Sequence, residues 1–245
     1  MTNSDPYVVP GLVRGLAALQ TFGPQTPEQS LAEIAQALGV TRSAAFRTVH
    51  TLLKEGYLLQ VQGEARYRLG PQVLGLSYGY LASRELLEVA QKPLEALRDS
   101  LDWSAHLGVL DRRHVLYLIR SPASDGLSSL VHVGSRLPAA QTAMGRLLLC
   151  HKTEREIRRL MADRPGREVD AVLAACARDR KAETVAHQGQ FETGLCSVAA
   201  PVCDMSGAVV AAISATKTSG TITPEVTERV LGTARAISKG LGAAG

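Results

Sequence analysis

The pattern of apolar residues in the first 70 positions constrains the fold more than any other feature of the sequence. Leucines recur at helical spacing over 12–19, a second helical segment spans 30–39, and a third runs from an N-cap at Thr41 to 56. Alternating residues on either side of a turn at 62–64 then predict a two-stranded hairpin. Helix, helix, short turn, helix and hairpin is the order of a winged helix-turn-helix.

The third predicted helix has two different faces. We expect its buried face to consist of Phe46, Val49, Leu52 and Leu53. The other face has the composition of a recognition helix, because arginine can bind guanine edges bidentately, hydroxyls can bind phosphates and alanine lets the backbone approach the groove. The candidate DNA-binding residues are Thr41, Arg42, Ser43, Ala44, Arg47 and Thr48 on the helix, with Arg66 and Arg68 on the wing.

Net charge adds little to the case for DNA. The chain has 27 Lys and Arg against 23 Asp and Glu, a formal charge of +4. Residues 1–70 hold 6 basic and 5 acidic residues, so the predicted DNA-binding part is only +1. A single arginine on a helix is most often simply solvated, and the order of the elements is what favours DNA binding here.

The remainder of the chain predicts an α+β fold, because hairpins and helices follow one another without a βαβ rhythm. Residues 72–100 are predicted to be helical with a break near Pro93, and the stripe Val73, Leu76, Tyr80 and Leu87 is either a dimer contact or plain packing. Further strands are expected at 105–110, 115–120, 129–133, 196–202 and 209–216, and further helices at 139–150, 154–161, 169–177 and 224–240. The predicted domains are 1–70, a linker helix 71–90 and 91–245.

Composition excludes two broad classes of protein. With 45% hydrophobic residues and a small net charge, the chain is not expected to be disordered. Its most apolar stretch, 208–215, is too short to cross a bilayer. Four cysteines without a CxxC pair predict reduced thiols, so we expect a cytoplasmic protein with no membrane contact.

Two patterns that resemble catalytic or ligand-binding motifs have simpler interpretations. Ser197, His187 and Asp204 are the residue types of a hydrolase triad, but nothing in their spacing demands one. The sequence 240–245, GLGAAG, matches GxGxxG but follows a predicted helix instead of a strand. We predict no catalytic site, no metal and no cofactor, and we interpret as ordinary polar or packing residues His106, His114, His132, Cys196, Cys203 and Trp103.

At the level of whole motifs, the chain resembles the IclR family of bacterial transcription regulators. LVRGLAALQTF at 12–22, SLAEIAQALGVTRSAAFRTVHTLLKEGYL at 30–58 and YRLGPQVLGL at 67–76 are similar to its DNA-binding domain. VGSRLPAAQTAMGRLLL at 133–149 and GLCSVAAPVCDMSGAVVAAISAT at 194–216 are similar to its effector domain. RLPAAQTAMGR further resembles the branch that controls aromatic-acid catabolism through the β-ketoadipate pathway.

The resemblance implies a winged helix, a linker helix used in dimerisation and a GAF-like effector-binding domain. It implies a homo-oligomer, either a dimer or a dimer of dimers, that binds double-stranded DNA at a pseudo-palindromic operator and responds to a small carboxylate effector. Carried over by motif, the effector contacts are Ala143, Met144, Gly145, Ser197, Ser214 and Thr216.

One segment departs from the family pattern. Family members often have acidic residues before the strand that begins near 196, whereas this chain has His187, Gln190 and Phe191 there. We add His187 and Gln190 to the candidate effector site, and the change favours a larger, aromatic anion over a glyoxylate-type ligand. The alternative from another class is an enzyme or metabolite-binding module with an incidental winged helix, which would show no salt-sensitive binding to a palindromic site.

Overall fold

The computed structural model describes residues 5–82, 85–124, 131–180, 182–188, 195–218 and 220–243. The chain divides into two compact units, Met1–Ser83 and Arg84–Gly245. Within the described residues, no helix combines the length and the apolar character needed to cross a membrane.

The first unit is a winged helix-turn-helix, as the sequence predicts. Three strands form a small antiparallel sheet in the order β1-β3-β2. The sequence does not predict strand β1, because its three residues are polar and show no alternation. In chain order the elements are α1 Pro10–Gln20, β1 Glu28–Ser30, α2 Leu31–Leu38, α3 Arg42–Lys54, β2 Leu58–Gln60, β3 Arg66–Leu69 and α4 Gln72–Ala82.

Local capping sets the turn between α2 and α3. Ser30 and Glu33 form a capping box at the start of α2, in which each side chain accepts from the other residue's backbone N–H. Gly39 ends that helix with a φ of 62°, a left-handed conformation that favours glycine. Two residues later, the Thr41 hydroxyl accepts from the Ala44 amide and starts α3. These are the positions at which the sequence predicts the turn.

The prediction that Phe46 is buried is wrong. Its side chain is 52% exposed, and its ring stacks on His50 with the ring centroids 6.0 Å apart. The core-facing residues of α3 are Ala45 and Val49, which are four positions apart and therefore on the same side of the helix. Phe46 follows Ala45 in the sequence and so points to a different side. A small residue therefore takes the buried place, and an aromatic ring stands on the exposed face.

Within the predicted helix over 72–100 the structure describes two helical stretches, and residues 83 and 84 between them lie outside the described residues. α4 Gln72–Ala82 lies in the first unit, and α5 Glu85–Leu101 lies in the second. The break expected near Pro93 is wrong, because α5 continues through this residue. A proline inside a helix costs about 3 kcal/mol. The cost is offset by a buried stripe at helical spacing, formed by Leu86, Ala90, Leu94 and Leu97.

The stripe predicted along these helices is only partly buried. Leu76 is 58% exposed, and Val73 is half-buried. Leu87 packs against the core of the second unit. The side chain of Tyr80 lies outside the described residues.

The second unit is built on a six-stranded antiparallel sheet in the order β6-β5-β4-β9-β8-β7. This mixed architecture confirms the α+β fold class. The strands are β4 Ser104–Asp111, β5 His114–Ser121, β6 Arg136–Pro138, β7 Val185–Gln188, β8 Leu195–Cys203 and β9 Val209–Thr218. A 3-10 turn, Ala139–Gln141, precedes α6 Ala143–Cys150, and the other helices are α7 Glu154–Leu160, α8 Gly166–Asp179 and α9 Pro224–Gly240.

The strand expected at 129–133 is not present in its described part. Residues 131–133 are not in a strand, and 129–130 lie outside the described residues. Gly134 has a φ of 90°, so the chain turns there before strand pairing begins at Arg136. The sequence does not predict the short strand β7 either.

Both faces of the sheet are covered. On one face, α5 and α9 bury a core that includes Leu94, Trp103, Leu107, Ile213 and Ile237. On the other face, α6 to α8 bury a second core that includes Val115, Met144, Leu147, Ile157 and Cys176. Because successive strand residues point to opposite faces, each central strand contributes to both layers.

Gly145 fixes how closely α6 packs. A Cβ at this position would lie 2.2 Å from the carbonyl oxygen of Ala139, which is backbone and cannot rotate away. We expect Gly145→Ala to lower the free energy of unfolding of the second unit by about 2–3 kcal/mol. Urea unfolding followed by the fluorescence of Trp103, the chain's one tryptophan, measures this.

Gly232→Ala is the matched control for this substitution. Gly232 lies within α9 and is exposed, and a Cβ added there would have no heavy atom within 4 Å. This change should raise the free energy of unfolding of the unit by about 0.5–1 kcal/mol, because alanine has less backbone conformational entropy than glycine in the unfolded chain and so loses less on forming the helix. Equal effects at the two glycines would contradict the packing role of Gly145.

Candidate effector cavity and DNA-binding surface

The exposed face of α3 carries most of the candidate DNA-binding residues. Arg42 and Arg47 are exposed, and their guanidinium groups make no hydrogen bond or ion pair with the residues that the structure describes. Ser43 is exposed and its hydroxyl lies 3.2 Å from that of Thr41. The hydroxyls of Thr41 and Thr48 are already used within the helix, the first as cap and the second as donor to the Ala44 carbonyl. Two free guanidinium groups are therefore the main polar feature of this surface.

The two wing arginines differ from one another. The Arg66 guanidinium donates to the Glu28 carbonyl at 2.7 Å and lies 3.4 Å from the Glu33 carboxylate. It joins β3 to β1 and to the start of α2. Arg68 is exposed and, among the described residues, has no such partner. Arg68 is thus the wing residue that is available to a phosphate.

A cavity of about 60 Å³ lies on the sheet face that α6 covers. On the same measure one water needs about 10–15 Å³, so the space exceeds that of a single solvent molecule. Its lining combines apolar and hydrogen-bonding side chains. The lining residues are Ser104, His106, Tyr117, Val131, Leu137, Gln141, Thr142, Ala143, His187, Leu195, Ser197 and Thr216.

Half of the predicted effector residues line this cavity. They are Ala143, His187, Ser197 and Thr216. Met144 is instead buried in the second core, Gly145 packs on the 3-10 turn, and Ser214 is buried in β9 without being a lining residue. Gln190 lies outside the described residues.

Sequence reasoning missed the contribution of β4 and β5. Ser104 and His106 are two residues apart on β4, so they point to the same face, and Tyr117 on β5 joins them. From the sequence we interpret His106 as an ordinary polar or packing residue and do not predict that it lines the cavity. Two polar residues at alternate positions of an otherwise apolar strand are the signal in the sequence.

Four polar residues form a row across the sheet. In the strand register, His187 is opposite Ser197, Ser197 is opposite Thr216, and Thr216 is opposite Ser104. Directly opposed residues share a face, so the four side chains line one wall of the cavity. The hydroxyls of Ser197 and Thr216 lie 3.1 Å apart. This row can donate and accept hydrogen bonds along its length.

His187 is held in its neutral form. Arg146 donates to its Nε2 at 2.7 Å, and Asp179 pairs with the same guanidinium. Burial first, and then the charge of Arg146, lower the pKa of His187 from 6.5 to about 4, although Asp179 and the Gln141 carbonyl oppose the shift. With Nε2 accepting, the hydrogen of the neutral ring is on Nδ1.

His106 is neutral for a similar reason. Burial first, and then the charge of Arg120, lower its pKa from 6.5 to about 4. Its ring meets the ring of Tyr117 edge-on, with centroids 5.6 Å apart. Burial also raises the pKa of the Tyr117 hydroxyl, so this group remains a hydrogen-bond donor.

Ser197, His187 and Asp204 make separate hydrogen bonds and do not form the hydrogen-bonded chain of a hydrolase triad. Ser197 bonds to Thr216, and His187 accepts from Arg146. Asp204 accepts from Ser206 and Ala208 in the turn after β8. Among the described residues, no group of three His, Cys, Asp or Glu side chains is placed to hold a metal ion.

The two buried histidines make stability depend on pH. Their folded-state pKa values lie below 6.5, so between about pH 4 and 6.5 the unfolded chain binds more protons than the folded one, and the free energy of unfolding falls as the pH falls. We expect a loss of roughly 2 kcal/mol per histidine between pH 7 and pH 5. Urea unfolding of the second unit at several pH values, read by Trp103 fluorescence, measures it.

His187→Gln separates this effect from general acid sensitivity. Glutamine keeps an acceptor for Arg146 but does not titrate, so the variant should lose about half of the histidine-dependent slope. A slope equal to that of the wild type would show that His187 is not neutralised by folding.

Comparison with known proteins agrees with this architecture. Residues 78–241 match the bacterial transcriptional regulator IclR C-terminal domain, and residues 11–62 match the IclR helix-turn-helix domain. The Pca regulon regulatory protein of Pseudomonas putida is 34% identical over 97% of this chain and 84% of its own length. The p-hydroxybenzoate hydroxylase transcriptional activator of Acinetobacter baylyi is 29% identical over 91% of this chain and 86% of its own.

A solved structure supports the same conclusion. The IclR homolog from Microbacterium hydrocarbonoxydans, crystallised with 4-hydroxybenzoate, superposes with a TM-score of 0.82 at 25% identity, covering 96% of this chain and 100% of that one. Two family matches in the expected order span both units of the chain. The chain belongs to the IclR family of DNA-binding transcriptional regulators.

Proposed function

We propose that this regulator controls an aromatic-acid catabolic operon and that an aromatic carboxylate bound in the cavity of the second unit modulates its affinity for DNA. The observation that carries the proposal is the cavity lining. Tyr117, Val131, Leu137 and Leu195 supply apolar walls for a ring, and the polar row beside them supplies hydrogen bonds to substituents.

The relatives favour the same ligand class. One relative bears the name of the Pca regulon, another that of p-hydroxybenzoate hydroxylase, and the crystallised homolog holds 4-hydroxybenzoate. His187 also fits an aromatic ligand, because it lines the cavity as a neutral imidazole and adds no charge beside a ring.

The proposed mechanism is differential binding. A homo-oligomer, as dimer or dimer of dimers, presents two or more α3 helices to a pseudo-palindromic operator in the cytoplasm. The parts of each chain are the DNA-binding region 1–70, the linker 71–90 and the effector-binding region 91–245. The effector changes DNA affinity only by the difference in its own affinity for the DNA-competent and DNA-incompetent arrangements.

A ligand panel tests the effector class. We expect 4-hydroxybenzoate or benzoate at about a hundred times the dissociation constant to raise the melting temperature of the second unit by about 5 °C, because ligand binding stabilises the folded state by mass action. Differential scanning fluorimetry with Trp103 measures the shift. Stabilisation by pyruvate or glyoxylate alone would contradict an aromatic effector.

Two arginine variants test the DNA interface. Arg47→Ala should remove about 1–3 kcal/mol of discrimination at particular base pairs, because an exposed guanidinium on α3 can reach a base edge. Arg68→Ala should weaken binding evenly on all sequences and reduce the slope of log affinity against log salt by about 1.

Fluorescence anisotropy with single-base variants of a site selected from random DNA provides the measurement. A uniform loss for Arg47→Ala on every sequence would identify that residue as a phosphate contact only. No salt-sensitive binding of the wild type to any palindromic site would contradict the operator proposal itself.

A further inference from the structure

Arg120 on β5 carries buried guanidinium nitrogens without a counter-charge. Its Nε and Nη2 atoms are shielded from solvent, and neither has a hydrogen-bond partner. Among the described residues, this side chain has no ion pair, and its charge acts on His106, whose pKa it lowers. Other partly buried arginines of the same unit are paired, Arg98 with Asp99 and Arg146 with Asp179. Buried guanidinium nitrogens without a partner are costly and require an explanation.

The position of Arg120 associates it with the cavity. In the register of β4 and β5, Arg120 is directly opposite His106, so the two side chains share one face of the sheet. His106 is a cavity-lining residue, and its own Nδ1 is buried without a hydrogen-bond partner. Arg120 is not itself a lining residue, but Arg120 and its lining neighbour His106 both hold nitrogen atoms that no described protein atom satisfies.

The chemistry of the unsatisfied atoms indicates the class of ligand. Nε and Nη2 form the side-on fork of a guanidinium, whose two parallel N–H groups match the two oxygens of a carboxylate. The neutral imidazole of His106 can donate one further hydrogen bond from Nδ1. Arginine, histidine and a carboxylate together would satisfy each of these groups.

We propose that Arg120 and His106 form the anion subsite of the effector cavity and that the hydroxyls of Ser197 and Thr216 bind a polar substituent at the opposite end of the ligand. This inference rests on the proposed function and deepens it, because it assigns the two ends of the effector. Charge selectivity comes from Arg120, and Ser197 with Thr216 selects a hydroxyl group.

The spacing of the strands fits a ring between these two ends. β4, which holds His106, is separated from β8, which holds Ser197, by the single strand β9. Adjacent strands lie about 4.8 Å apart, and Ser197 is level with Ser104, two residues or about 7 Å along the strand from His106, so the backbones of His106 and Ser197 lie about 12 Å apart. A benzene ring with a carboxylate and a hydroxyl at opposite positions spans such a gap. The subsite therefore favours 4-hydroxylated benzoates over short aliphatic acids.

The start of α6 is the competing anion site. Amide groups at a helix N-terminus can bind a carboxylate. Here the Gly145 amide is already bonded to the Thr142 hydroxyl, which leaves fewer donors for a ligand. Replacing Arg120 distinguishes the two sites. Carboxylate binding at the α6 amides does not require the Arg120 side chain and should survive its replacement, whereas binding at the Arg120 subsite should be lost.

The test is a thermodynamic cycle on the full-length protein. Binding of 4-hydroxybenzoate and of the neutral 4-hydroxybenzamide is measured by isothermal titration calorimetry for the wild type and for Arg120→Met, which keeps an extended side chain and removes its charge. Wild type should prefer the acid by about ten- to a hundredfold, because a hydrogen bond to a charged group contributes that much. In Arg120→Met the preference should fall to near unity.

The matched control is Arg167→Met, which removes one positive charge at an exposed position in the first turn of α8. Its acid-over-amide preference should equal that of the wild type. Arg120→Lys should keep a part of the preference, since it retains the charge without the fork. It also serves as the test variant if Arg120→Met does not fold, and the expected loss is then about tenfold.

Each outcome separates the subsite from the proposed function. A wild type that binds the acid, with full acid preference kept in Arg120→Met, overturns the Arg120 subsite and leaves an aromatic effector in place. Equal affinity of the wild type for acid and amide overturns the subsite as well. Failure of the wild type to bind any aromatic acid overturns both proposals. Loss of preference in the variant, with the control unchanged, supports the subsite.

Discussion

The pairing of β9 with both β4 and β8 is the interaction on which the effector-binding unit depends. This pairing places Thr216 between Ser104 and Ser197, so hydrogen-bonding side chains from three strands meet on one wall. The same strands send Ile213 and Leu107 to the opposite face, into the core under α5 and α9. The alternation along each strand thus lets one set of residues stabilise the fold while the next set forms the cavity. A register shift by one residue would exchange these two roles.

The helices α6 and α8, which cover one face of the sheet, determine the charge of His187 in the cavity. Asp179 on α8 pairs with Arg146 on α6, and Arg146 holds His187 neutral on β7. This chain of contacts keeps the imidazole on the β7 side of the cavity uncharged. Arg120 lies on the β5 side and is not neutralised by a carboxylate among the described residues. In the proposed complex, this electrostatic asymmetry would orient an anionic ligand by its charged end.

The sequence predicts best those features that depend on local chemistry. The caps at Ser30 and Thr41 and the left-handed turn at Gly39 follow from residue types within a few positions of each cap. Failures arise where distant packing decides. Pro93 stays inside a helix because a buried stripe outweighs its local cost, and Phe46 is exposed because the adjacent alanine faces the core. Helix propensity and hydrophobic periodicity do not report these long-range packing contacts, so they predict neither the continuous helix at Pro93 nor the exposure of Phe46.

The candidate site shows the same division. The motif resemblance predicts Ser197 and Thr216 as effector contacts, and both line the cavity. His106 and Arg120 are neighbours only through the pairing of β4 with β5, which sequence spacing does not specify. Their unsatisfied nitrogen atoms also have an energetic meaning. A buried donor without an acceptor destabilises the ligand-free protein, so a carboxylate that satisfies it is bound more tightly than its contacts alone would require. An effector can shift operator affinity only if its binding free energy differs between two arrangements of the protein. Because the empty subsite is unfavourable, filling it increases the binding free energy of the effector. A larger binding free energy allows a larger difference between the two arrangements of the protein.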